Sequence, residues 1–178
     1  MSKTALWFAV CVAVILGCAC SLFVHADDSP GKEVALRASD ISPKLIPETV
    51  FFRGQTAPTQ LRNSGGVHFA DGSYSLATMV DSSGYSSGIR EKYQGYLLTE
   101  VALDFAGKAL EPGAYGFGFI NNGKFVVMDL GGHDAFQISS QHDGEIKRPT
   151  PMQIAAASTP GTYRLYVGRD FVEFHRSR

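Results

Sequence analysis

The chain has 178 residues, enough for one ordinary domain and too few for two comfortable ones. Apolar residues make up 44% and charged residues 19%, a globular balance that excludes bulk disorder. The 16 basic and 17 acidic residues are scattered rather than blocked, so no basic stripe exists for a phosphate backbone and nucleic acid is excluded as an expected partner.

Lys3 supplies a short positive start, and Ala5 through Val24 carry no charge. Val24-His25-Ala26 then offers modest side chains where a signal peptidase reads, and Asp27-Asp28 end the apolar run. This layout predicts a signal peptide over residues 1–26 and an exported protein, secreted or periplasmic. Two alternatives stay open. The run 5–24 is long enough to persist as an uncleaved anchor, which would be the chain's only route to a membrane. Ile15-Leu16-Gly17-Cys18 also resembles a lipoprotein processing box, although the bulk of Leu16 and the apolar stretch beyond Cys18 argue against lipidation. Cys11, Cys18 and Cys20 all lie in this segment, so the cleaved chain has no disulfide, thiolate metal site or cysteine nucleophile.

Residues 27–48 are polar, contain Pro30, Pro43 and Pro47, and read as a flexible surface arm with at most one helical turn near Glu33–Ala38. From Thr49 onward, short apolar runs alternate with turn residues and predict a single β domain over 49–178. Extended segments are expected at Val50–Phe52, Thr59–Arg62, Gly66–Ala70 and Ser73–Val80, with Asp71-Gly72 turning the last pair. Ile89–Gln94 reads as a short helix capped by Ser87 and stopped at Gly95. Tyr96–Phe105 reads as one strand with Val101, Leu103 and Phe105 on one face. Asn122-Gly123 between Ala114–Ile120 and Lys124–Leu130 is a strong hairpin mark. Ala135–Ser139, Pro151–Ala156, Thr162–Val167 and Phe171–Phe174 complete roughly ten strands, which predicts an all-β, antiparallel sandwich or barrel with one short helix.

In Tyr115-Gly116-Phe117-Gly118-Phe119 the aromatics fall on one strand face and the glycines on the other. Bare backbone usually means close packing by a neighbouring aromatic; its functional reading is the floor of a ligand groove formed by Gly116 and Gly118. Gly107-Lys108, Leu110, Pro112-Gly113 and Tyr115 form the unit G-K-x-L-x-P-G-x-Y. It resembles a hairpin of small secreted bacterial β-domains of unassigned function; that resemblance implies export and a β fold, and no activity.

Gly84-Tyr85-Ser86-Ser87-Gly88 matches the G-x-S-x-G of a nucleophile elbow, with His133 and His142 downstream. An elbow needs a strand running straight into the turn, and Asp81-Ser82-Ser83 intervene. Among the histidines, His68, His133 and His142 are weak metal candidates, but the nine-residue step between the last two spans roughly 30 Å if extended. Arg53, Gln55, Gln60, Arg62 and Asn63 form a polar run in which Gln60 and Arg62 share one face, suited to an anion or a sugar at a barrel mouth. Tyr74, Tyr85, Tyr93 and Tyr96 offer either ring burial or a stacking surface. The sequence thus predicts an exported, non-catalytic binding or envelope-interaction domain without a cofactor. Its expected partner is a small molecule, a glycan or an envelope protein, held by Arg53, Gln60, Arg62, Gly116 and Gly118. A secreted hydrolase or metal-dependent enzyme is the alternative.

Overall fold

The computed structural model describes residues 31–41 and 45–177. The expected signal segment, its cysteines and the start of the arm lie outside the described residues. The remainder is an antiparallel β-sandwich of two open sheets rather than a closed barrel. Its strands are β1 (Val34–Arg37), β2 (Thr49–Phe52), β3 (Gln55–His68), β4 (Tyr74–Val80), β5 (Gly95–Thr99), β6 (Leu103–Phe105) and β7 (Lys108–Leu110). They continue as β8 (Gly113–Ile120), β9 (Lys124–Met128), β10 (Asp134–Ser139), β11 (Gln141–His142), β12 (Met152–Ala156), β13 (Thr162–Val167) and β14 (Asp170–Arg176). One turn of helix, α1 (Ser87–Arg90), sits between β4 and β5.

The larger sheet runs β1-β3-β4-β5-β8-β9-β10, with β2 folded back on the start of β3. The smaller runs β12-β13-β14-β6-β7, with β11 beside the start of β14. Alternating apolar side chains of both sheets meet in one core that includes Val67, Leu97, Leu103, Phe105, Phe117, Phe125, Leu165 and Phe174. Phe105 lies at its centre, with ring centroids 5.3 Å from Phe174 and 5.8 Å from Phe125.

The larger sheet is also covered on parts of its outer face. Val50, Phe52, Ala57, Tyr85, Tyr93, Val126 and Met128 form a second cluster under the β2–β3 hairpin and the α1 segment. Ile41 and Ile46 close a third over Leu76. The arm expected to be loose therefore contributes packing. Val34–Arg37 forms strand rather than helix, pairing with β3 from Val34 opposite His68 to Arg37 opposite Gly65.

Other departures from the sequence reading have local causes. The expected strand Tyr96–Phe105 breaks at Glu100–Ala102, where the chain crosses from the larger sheet into the smaller. The Thr99 hydroxyl donates to the Val101 carbonyl at 2.7 Å and turns the backbone there. The helix starts and stops earlier than Ile89–Gln94: the Lys92 amide bonds back only three residues to the Ile89 carbonyl, Tyr93 drops into the second cluster, and the Gln94 amide donates to the Phe117 carbonyl of β8. Ser86, not Ser87, takes the cap position. The turn at Asn122-Gly123 forms as expected, with both residues at positive φ (69° and 64°), a conformation that asparagine and glycine tolerate best.

Candidate functional site

Two sheet edges meet at one corner of the sandwich. β1 ends the larger sheet, β12 ends the smaller, and β12 lies across β3. Gly65 permits that crossing, since a β-carbon there would lie 2.7 Å from the Ile154 amide nitrogen. Between the edges opens a groove of about 590 Å³, bounded by 35–39 on one side, Thr150–Ala156 on the other and Arg62–Ser64 at one end.

A bulge in β3 builds that end. Gln60 pairs with Met79 and Ser64 with Thr78, so Leu61, Arg62 and Asn63 have no counterparts on β4 and are extruded. The Ser64 hydroxyl donates to the Leu61 carbonyl at 2.6 Å, and the Asn63 amide donates to the Gln60 side-chain carbonyl at 2.8 Å, which holds the bulge in shape. Arg62 is thereby carried out to the groove. Arg37 reaches it from the end of β1, where the Asp40 carboxylate accepts the Arg37 backbone amide at 2.9 Å and turns the chain.

Arg37 and Arg62 are the two charged residues of the lining, which otherwise offers Ser39, Asn63, Ser64, Thr150 and Gln153 among small apolar side chains. No carboxylate pairs with either guanidinium among the described residues. A guanidinium cannot lose its proton near neutrality and presents a planar fork of donors. The corner thus combines two guanidinium groups outside any ion pair among the described residues, hydrogen-bonding side chains and open backbone edges.

The residues singled out by sequence fare unequally. Arg62 and Asn63 line the groove, whereas Gln60 stands beside it, its side-chain amide donating to the Val80 carbonyl at 3.4 Å. Arg53 lies in the β2–β3 turn, its amide donating to the Leu130 carbonyl at 2.7 Å and its side chain lying over Gly132. It is not part of the groove lining, so Arg53 and Arg62 do not act on one ligand there.

The glycine face of β8 is packed, which corrects its reading as a groove floor. A β-carbon on Gly116 would lie 2.5 Å from the Phe52 ring, and one on Gly118 would lie 2.0 Å from the Lys92 carbonyl oxygen. Phe52 and Tyr93 stack there at 3.9 Å with 15° between their planes. Tyr85 and Tyr93 are buried, so they give no sugar-stacking surface; burial pushes both phenols above their ordinary pKa.

The three metal candidates stay apart. His68 stacks on Tyr74 at 4.5 Å, His133 Nδ1 lies 3.1 Å from Asp129, and His142 Nδ1 lies 2.7 Å from Asp170. Hydrogen bonds from the His133 backbone and ring hold the Asp129 carboxyl below its ordinary pKa. No group of three metal-ligating side chains gathers among the described residues. Ser86 caps α1 in an exposed loop and has no histidine partner among the described residues, and the sheets are antiparallel, so the nucleophile-elbow reading has no scaffold.

Two elements of the groove escaped the sequence reading: Arg37 and the β12 edge. The second left a trace in the sequence. Pro149, Pro151 and Pro160 bracket an uncharged run, as befits an edge strand whose flanking residues have no amide hydrogen to donate to a ladder. No family model, curated protein or solved structure matches this chain.

Proposed function

We propose that this chain is an exported, non-catalytic binding domain that holds an anionic ligand in the groove between β1 and β12. The observation that carries this reading is the pair Arg37 and Arg62 opening into one groove, neither guanidinium in an ion pair among the described residues. Export rests on the leader-like residues 1–26. Charge-assisted hydrogen bonds from a guanidinium are roughly twice as strong as neutral ones and are bidentate toward carboxylates and phosphates. Asn63, Thr150 and Gln153 would supply neutral donors and acceptors around the anion.

Calorimetric titration of the full chain with poly-glutamate and with polygalacturonate, at low salt, tests the reading. Binding of one or both is expected, weakened at least about tenfold in Arg37→Gln/Arg62→Gln and steeply reduced by salt. Equal affinity in the double variant would refute the groove as the site. Turnover of an ester or glycoside panel that Ser86→Ala or His142→Ala abolishes would refute the non-catalytic assignment.

A further inference from the structure

The groove wall formed by β12 is an unpaired strand edge. The Gly168 amide donates to the Pro151 carbonyl at 3.2 Å and the Ala157 amide to the Thr162 carbonyl at 2.9 Å. In an antiparallel ladder that alternation turns the peptide groups of Pro151, Gln153, Ala155 and Ala157 toward β13, and those of Met152, Ile154 and Ala156 away from it. β12 ends its sheet, so no strand among the described residues hydrogen-bonds to the second set, although β1 and β3 pack beside it. The Ile154 amide abuts Gly65, and the Met152 carbonyl accepts from the Thr150 hydroxyl at 3.4 Å. The Ile154 carbonyl and the amide and carbonyl of exposed Ala156 remain directed at the groove side.

Proteins usually guard such an edge with charge or proline. At the other sheet ends, β7 opens on Lys108 and β10 on Asp134. Met152–Ala156 contains neither charge nor proline. Its five residues extend roughly 16 Å at ~3.3 Å per residue, and the positive charge of Arg37 and Arg62 stands within the same groove. Main-chain pairing along an edge, with pockets or charges reading alternate side chains, is the physics of strand addition.

We infer that the ligand is an extended polypeptide segment bearing carboxylate side chains, which adds as a strand to the free edge of β12 while its carboxylates meet Arg37 and Arg62. This deepens the anion-binding reading and rests on it. An anionic glycan satisfies the arginines equally but has no peptide amides to give the Ile154 carbonyl or peptide carbonyls to accept from Ala156.

The test uses the full chain and a fluorescein-labelled octapeptide of alternating glutamate and valine, read by fluorescence anisotropy. Two further peptides are N-methylated, one on every valine amide and one on every glutamate amide. An octamer of galacturonate serves as the glycan probe. The octapeptide is expected to bind, and one N-methylated form, but not both, to bind about tenfold more weakly, because only one peptide edge faces β12. Ala156→Pro removes an amide that β13 does not use; it should weaken the octapeptide about tenfold and leave any galacturonate binding unchanged. Arg62→Gln should weaken both probes. Unaltered affinity of both N-methylated peptides overturns strand addition while leaving the anion groove standing, and this readout holds even if Ala156→Pro misfolds. Galacturonate binding without octapeptide binding assigns the groove to a glycan and overturns the inference. Binding of neither overturns the inference and the reading beneath it.

Discussion

β8 and β3 each expose bare backbone through two glycines, and the two strands use it differently. At Gly116 and Gly118 the space above β8 is filled by the Phe52–Tyr93 stack and the Lys92 carbonyl, which seals the outer face of the larger sheet. At Gly65, β3 admits the backbone of β12 instead, and the neighbouring bulge at Leu61–Asn63 keeps the corner open beside it. Glycine marks close approach in both places, yet one corner is packed with aromatic rings and the other is polar, grooved and positively charged. Glycine in a strand therefore signals a neighbour, and only the identity of that neighbour separates core from site.

The contrast can be broken most forcefully at the packed corner. Phe52 is fully buried in its cluster, so Phe52→Ala should lower unfolding free energy by about 4 kcal/mol in urea titrations, through lost transfer energy and an unfilled cavity. Gly118→Ala should cost about 2–3 kcal/mol by the same measurement, since the Lys92 backbone cannot yield as a side-chain tip would. A smaller change of opposite sign is expected at Tyr93. Its hydroxyl is buried without a hydrogen-bond partner among the described residues, so Tyr93→Phe should be neutral or stabilise by up to about 1 kcal/mol. At the open corner, Arg62→Gln should leave stability within about 0.5 kcal/mol of wild type, because the side chain is exposed and unpaired among the described residues. A large loss there would make Arg62 a structural rather than a binding residue.

Two titrations probe contacts outside the groove. Hydrogen bonds from Ser73, then the Arg176 guanidinium, hold the Asp71 carboxyl at about 2 instead of 3.8. Its folded value lies below the unfolded one, so its contribution is complete above pH 4 and fades as pH falls toward 2. Arg176→Gln should move the Asp71 resonance midpoint upward in an NMR titration. Burial, and then the hydrogen bond donated to Glu33, push the Tyr163 phenol up to about 12 from 10.0. A raised phenol pKa favours the neutral folded form, so this contribution is present below pH 10 and lost as pH rises through 12. Tyr163→Phe should flatten that alkaline decline.

Much of the fold was legible because its signals are local. The turns at Asp71-Gly72 and Asn122-Gly123 declare themselves through backbone chemistry, and the alternation of Val101, Leu103 and Phe105 correctly marks a core face. Less was legible where the deciding partner is distant in sequence. Val34–Arg37 becomes a strand only because β3 runs alongside, and Tyr96–Phe105 splits only because two sheets compete for it. The site was half legible. Arg62 stood out as a polar residue on a strand, while Arg37 and Ala156, far from it in sequence, join it only when two sheet edges meet. Gly116 and Gly118 misled because a sequence shows that a face is bare without showing that Phe52 and Tyr93 fill it.

The most direct measurement is amide NMR mapping of the full chain titrated with the glutamate–valine octapeptide. Shifts are expected to concentrate on Arg37, Arg62, Asn63 and Met152–Ala156, leaving Phe52, Tyr93 and Gly116 unmoved. Shifts centred on His142, Arg53 or the β8 face, with β12 silent, would contradict the assignment of the groove.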